Sequence, residues 1–293
     1  MDSNQQIIEE LTKIIEYDPD DILSRCKRGF IYLQLRQYQS AFQDFDAIIT
    51  LNPNYADAYS GRGATYTRFG KYQKALQDCN KAIELSPNVA LPYYYMGECY
   101  GFLEKYESAL ENYNKAIDLD PNYTQAYIGR GSVYAFVQLY DMAKKDFIKS
   151  LELDPQCSEA YFNLGAIYDK KEDYKQAIEN YNNGLKLNPN RAEAYSHRGI
   201  AYAYLKEYKK ACDDFTSAIK LCPDVAEFYM ARAGVLLELG KEAKAKADIK
   251  TYEKLGGKIP GKRNPWIGTL RLALGVVGLI FGFDTFFNDD YNE

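Results

Sequence analysis

The sequence predicts an all-α solenoid of antiparallel helix hairpins over residues 5–255, and three observations carry that reading. Seven of the ten prolines, Pro19, Pro53, Pro87, Pro121, Pro155, Pro189 and Pro223, stand 34 residues apart throughout. Most of the 28 tyrosines fall into three columns with the same interval. One column of glycine and one of alanine keep it too. A fixed period of 20–50 residues marks stacked repeats, each a unit too small to bury its own apolar face.

The columns define the unit. Tyrosines recur at Tyr59, Tyr93, Tyr127, Tyr161, Tyr195 and Tyr229, again from Tyr32 to Tyr202, and again from Tyr38 to Tyr208. Glycine runs from Gly29 to Gly199 and alanine from Ala41 to Ala211. Between Ala56 and Val89, the residues Tyr59, Gly63 and Tyr66 fall at i, i+4 and i+7, one face of a first helix, A. Ala75, Cys79 and Ala82 repeat that spacing on a second helix, B, and Phe69-Gly70-Lys71 breaks the chain between them. Pro87 has no N–H and closes helix B. Small residues at Gly63 and Ala75 let the two backbones approach, and tyrosines fill the space around them.

In chain order, residues 1–21 hold a lone helix B at 5–18. Six full repeats follow over 22–225 (22–55, 56–89, 90–123, 124–157, 158–191 and 192–225). Residues 226–257 form a degenerate seventh repeat or cap, in which Ala233 takes the glycine position and Gly257 the proline position. Residues 258–293 are a breaker-rich linker and an apolar C-terminal segment.

Aromatic, glycine and tyrosine on helix A, then alanine, aromatic, alanine and proline on helix B, resemble the tetratricopeptide repeat. The resemblance implies a right-handed superhelical solenoid whose A helices line the concave groove. It further implies a non-catalytic scaffold or adaptor that holds a protein or peptide segment there. The alternative from another class is an enzyme accessory or a small-molecule-binding repeat protein.

Composition bears on what such a solenoid does. A net charge of −5 argues against a general nucleic-acid binder, which needs a basic face to displace counterions from phosphates. The six cysteines form no CxxC pair and read as reduced, mostly buried small apolar residues. The amino end has no basic region followed by an apolar core, so the expected compartment is the cytoplasm. His197 is the one histidine, and nothing stands beside it at metal-ligand spacing. Gly63 to Gly70-Lys71 has the wrong spacing for a phosphate loop, and Tyr72 stands where its Ser/Thr belongs. No cofactor, metal or catalytic residue is expected.

Groove contacts are expected from helix A positions outside the fixed columns: Phe30, Tyr94, Tyr95, Glu98, Phe102, Ile128, Phe136, Phe162, Asn163, His197 and Tyr204. Exposed aromatics beside Ser60, Gly61, Ala64, Gly129 and Ser132, which leave space, suit a ligand with an apolar anchor. Packing within or between repeats is the competing use of the same residues. For His197, ligand contact competes with an ordinary solvated or hydrogen-bonded histidine. The family's carboxylate clamp for chaperone C-terminal tails needs Lys and Asn, then Asn, then Lys and Arg over three A helices. The columns here read Cys26/Phe30 and Ser60/Ala64, with Leu23/Lys27 and Glu159/Asn163 as the nearest fragments, so that ligand is disfavoured. Asp57, Glu159, Glu193 and Glu227 open A helices, where acidic residues offset the helix dipole.

Beyond Gly257 the composition changes. Lys262-Arg263 and Trp266 precede an apolar run, Leu272 to Phe283, and the end is acidic. Leu272, Leu274, Val276, Val277, Leu279, Ile280, Phe281 and Phe283, with Trp266, are the expected membrane contacts. The run is shorter than the roughly 20 residues that span a bilayer. Three readings of residues 266–287 stay open: a membrane anchor, a cap or self-association surface, and a segment lying in the membrane surface.

Overall fold

The structure, a computed structural model, describes residues 3–257. These form two compact units, one up to Val133 and one from Tyr134 onward. The first holds α1 (Ser3–Tyr17), α2 (Ile22–Gln34), α3 (Tyr38–Leu51), α4 (Ala56–Arg68), α5 (Tyr72–Leu85), α6 (Ala90–Phe102) and α7 (Tyr106–Leu119). The division falls within α8 (Thr124–Phe136). The second holds α9 (Tyr140–Leu153), α10 (Ser158–Lys170), α11 (Tyr174–Leu187), α12 (Ala192–Tyr204), α13 (Tyr208–Leu221), α14 (Ala226–Glu238) and α15 (Glu242–Lys254). No strand occurs among the described residues. Even-numbered helices are the A helices and odd-numbered ones the B helices, so the fold is an all-α solenoid of helix hairpins.

Each column of the repeat has a physical task. The A-to-B turn is a Schellman cap: Lys71 N donates to Tyr66 O at 2.8 Å and Gly70 N to Thr67 O at 3.0 Å. The same pair recurs at Gln37 to Tyr32, Lys105 to Tyr100, Leu139 to Tyr134, Asp173 to Tyr168, Glu207 to Tyr202 and Lys241 to Leu236. The second tyrosine column is therefore the column whose carbonyls close the turn. The cap requires a left-handed residue. Gly70 and Gly240 supply it, whereas Arg36, Glu104, Gln138, Glu172 and Lys206 adopt φ of 57–63°.

The first tyrosine column locks helix A to the preceding loop. The hydroxyls of Tyr59, Tyr93, Tyr127 and Tyr229 donate to the carbonyls of Pro53, Pro87, Pro121 and Pro223 at 3.0–3.4 Å. Arg25 stands at that position in the first repeat, and its guanidinium donates to Pro19 O from Nε at 3.0 Å and from Nη2 at 2.9 Å.

The core lies between helices. Ala41, Ala75, Ala109, Ala143, Ala177 and Ala211 are completely buried, as are the B-helix rings Phe45, Phe147 and Phe215. Within each unit, successive hairpins pack on one another, and A helices also touch A helices: α2 with α4, α4 with α6, α10 with α12 and α12 with α14. No two B helices are in comparable contact among the described residues. Within each unit the A helices thus form the inner, more closely spaced layer.

Candidate interaction face

The inner layer presents helix A side chains, and two packing rules decide which of them stay accessible. The first is a ring-and-socket rule between repeats. A Cβ on Gly61 would stand 2.3 Å from the ring of Phe45, and one on Gly129 2.6 Å from Tyr113. These glycines therefore do not open space in a groove, as the sequence suggested; they seat the B-helix ring of the preceding repeat. One repeat reverses the sizes: Cys79 is small and fully buried, and Tyr95 lies near it.

The second rule is a chain of guanidinium contacts. Arg62 donates from Nε and Nη2 to Asp78 at 2.7 and 2.9 Å, and from Nη1 to Asp46 of the preceding helix B at 2.7 Å. Arg28 repeats this with Asp44 and Thr12, Arg198 with Asp214 and Asn182, and Arg232 with Asp248 and Thr216. Each such arginine closes its own hairpin and ties it to the one before. Its carbon lies over ring faces as well, for Arg62 at 5.7 Å from Tyr59 and 5.8 Å from Tyr66. The carboxylates are nearly inaccessible, Asp44 at 3% and Asp214 at 5% exposure. Burial pushes the Asp214 carboxyl upward and Arg198 pulls it back.

This ladder was readable in the sequence and missed. Arg28, Arg62, Arg130, Arg198 and Arg232 keep the repeat interval, as do Asp44, Asp78, Asp146, Asp214 and Asp248. Both charges vanish together in two repeats, where Met96 accompanies Asn112 and Leu164 accompanies Asn180.

In the first unit, Tyr94 is packed against Tyr95, Tyr113 and Tyr123 at ring separations of 5.1–6.0 Å. Its hydroxyl donates to Glu98 Oε1 at 2.9 Å, and Arg68 Nη2 donates to the same oxygen at 2.9 Å. Burial drives the Tyr94 and Tyr95 hydroxyls well above the usual phenol range. Phe102 lies under Arg68 and stacks on Tyr72, with 19° between the rings. Phe30 is half-buried, edge-on to Phe45, and Ile128 is buried.

In the second unit, Phe162 is 5% exposed, covered by Arg191 and pressed into the space that a Cβ on Gly184 would take. Asn163 is buried, while Phe136 and His197 are half-buried, the imidazole stacked at 6.0 Å on Tyr181. Tyr204 differs. It is 48% exposed and lies nearly parallel to Tyr174, 4.6 Å away. Of the eleven expected contact residues it alone is exposed, and stacking fixes its ring.

Comparison with known proteins decides the family. Family profiles described as tetratricopeptide repeat match residues 23–55, 56–89, 124–157, 158–191 and 192–225, and one described as TPR repeat matches 103–135. The chain belongs to the tetratricopeptide repeat family. Repeats of this family serve as protein-interaction scaffolds, and that general role is the chain's.

Solved structures share the fold. One is the APC/C hetero-tetramer Cut9-Hcn1, at 19% identity and TM-score 0.74, covering 92% of this chain and 52% of that one. This chain thus spans about half the length of that relative. Another is PilF of Pseudomonas aeruginosa, at 18% identity and TM-score 0.65, covering 75% and 97%. A third is MamA of Desulfovibrio magneticus RS-1, at 25% identity and TM-score 0.51, covering 57% and 94%. No curated protein matches the chain.

No described helix is long and apolar enough to cross a membrane. The expected membrane contacts, Trp266 to Phe283, lie outside the described residues. No group of His, Cys, Asp and Glu able to hold a metal occurs among the described residues.

Proposed function

We propose that the chain holds an extended or helical segment of a partner protein against its A-helix layer, with α12 supplying an aromatic contact. The observation that carries this reading is Tyr204, an exposed ring at the end of an A helix, held rigid by Tyr174 of the preceding helix B. A pre-oriented aromatic loses little conformational entropy on binding, and such rings supply much of the energy of small interfaces. His197, two turns earlier on the same helix, offers a polar neighbour. Tyr94, Phe102 and Phe162 remain candidates for apolar contact, although much of their surface is already covered by their own unit.

Tyr204→Ala is the test, because removing an exposed ring leaves the hairpin core untouched. Partners recovered on full-length bait are identified, and the affinity of their binding segment is measured for both proteins. A true anchor costs about 2 kcal/mol or more, roughly thirtyfold in Kd. Equal affinity with unchanged helicity moves the contact off α12. Recovery of a nucleotide, metal or turnover in place of a partner supports the small-molecule alternative.

A further inference from the structure

Asp169 has no counterpart in its column. The equivalent positions hold Leu33, Thr67, Gly101, Ala135, Ala203 and Leu237. Its Oδ2 accepts from the Tyr181 hydroxyl at 2.7 Å. Its Oδ1 is closed off from solvent and has no hydrogen-bond partner, although the residue keeps some exposure. Tyr181 is 1% exposed and is wedged between consecutive repeats. On one side its ring occupies the place a Cβ on Gly165 of α10 would take, and on the other it stacks on His197 of α12. One carboxyl therefore holds the ring that joins two hairpins.

We propose that Asp169 and Tyr181 form a proton-operated latch between consecutive hairpins of the second unit. With the proton on Asp169, the carboxyl is neutral, its buried oxygens need little solvation, and Tyr181 stays seated. Without it, a carboxylate holds a single hydrogen bond and one oxygen that water does not reach. Such an ion draws in water or another donor, and the α10–α11–α12 junction loosens.

The surroundings support that assignment. Burial raises the Asp169 carboxyl to about 7, against the opposing effects of the Tyr181 hydrogen bond and Lys170. Of the titratable groups on the packed helices, Tyr174 of α11 faces the Asp169 charge, Tyr204 of α12 stacks on Tyr174, His197 of α12 stacks on Tyr181, and α9 brings Lys144 and Asp141. Lys144 lies over Tyr168 and Asp141 pairs with Lys171. The sign follows from linkage. A carboxyl raised above its unfolded value of 3.8 contributes stability that is full below that value. The contribution falls as pH rises through the folded value, and the junction is weakest above it.

The test uses full-length protein labelled with 13C at aspartate carboxyls, Asp169→Asn identifying the resonance. The expected midpoint lies near 7, and Tyr181→Phe moves it higher by removing a donor that favours the carboxylate. Amide exchange of α10–α12, corrected for intrinsic rates, should lose protection about tenfold or more between pH 6 and pH 8. Asp169→Asn should abolish that loss. A midpoint at or below about 5 overturns the proposal, as does the same pH-dependent loss in Asp169→Asn. If Asp169→Asn does not fold, a Tyr181→Phe midpoint equal to or below that of the natural protein overturns it independently.

Discussion

Replacing Arg198 with leucine should damage the protein far more than replacing Arg198 and Asp214 together. The single change strips Asp214 of two hydrogen bonds, at 2.8 and 2.6 Å, and leaves a carboxylate with 5% exposure facing an apolar side chain. Removing one partner of a buried pair costs about 3–5 kcal/mol. The guanidinium also leaves the faces of Tyr195 and Tyr202, 5.4 and 6.0 Å away, at about 0.5–1 kcal/mol each. Adding Asp214→Asn removes the stranded charge. The chain already uses that pairing where Leu164 accompanies Asn180, whose amide donates to Gln176 O at 2.8 Å. The double variant should therefore lose only about 1–2 kcal/mol, at least about 1.5 kcal/mol less than the single one. Urea unfolding at pH 7.5, with exchange protection of α12 and α13 as a local readout, measures it. Because burial already raises the Asp214 carboxyl, the single variant should recover part of its loss as pH falls and that carboxyl takes up a proton. A double variant no more stable than the single one would refute the argument.

Glycine at the left-handed turn positions should stabilise the chain. Glu172→Gly or Gln138→Gly relieves about 1–2 kcal/mol of strain at φ of 58° or 63°, less about 0.4–1 kcal/mol of added unfolded-chain entropy, so Tm should rise slightly and never fall. Apolar surface is costly to leave in water at about 25 cal/mol per Å², so residues 266–287 should be covered by a membrane, by the chain's own last repeat or by another chain. Membrane association of full-length protein that is lost in a form ending at Gly257 identifies an anchor. If both forms are soluble and the shorter one melts lower, residues 266–287 are a cap.

The frame of the fold was legible because its columns act locally. A proline that cannot continue a helix, a small residue where two backbones meet and a carbonyl that closes a turn make the same demand in every repeat. The inner face was less legible because its residues answer to a different repeat. Gly61 reads as empty space until Phe45 is placed against it, and Phe102 reads as an anchor until Tyr72 is stacked on it. The number of intervening residues reveals neither pairing; only the helix-to-helix geometry does. Asp169 showed no pattern at all, being a single departure in a column of small and apolar residues.

The ring-and-socket pairs make the repeats a sentence rather than a tally. Phe45 meets Gly61, Cys79 lies near Tyr95, Tyr113 meets Gly129 and Tyr181 meets His197, so each of these four hairpins is shaped for its own successor. Excising residues 56–89 would bring Phe45 toward Tyr95, two large rings in a space sized for one. Duplicating them would set Cys79 against a second Gly61 and leave a void. Though its 34-residue beat invites gain and loss of whole units, this chain is constrained against both, and its history should show substitution within repeats more readily than changes in their number.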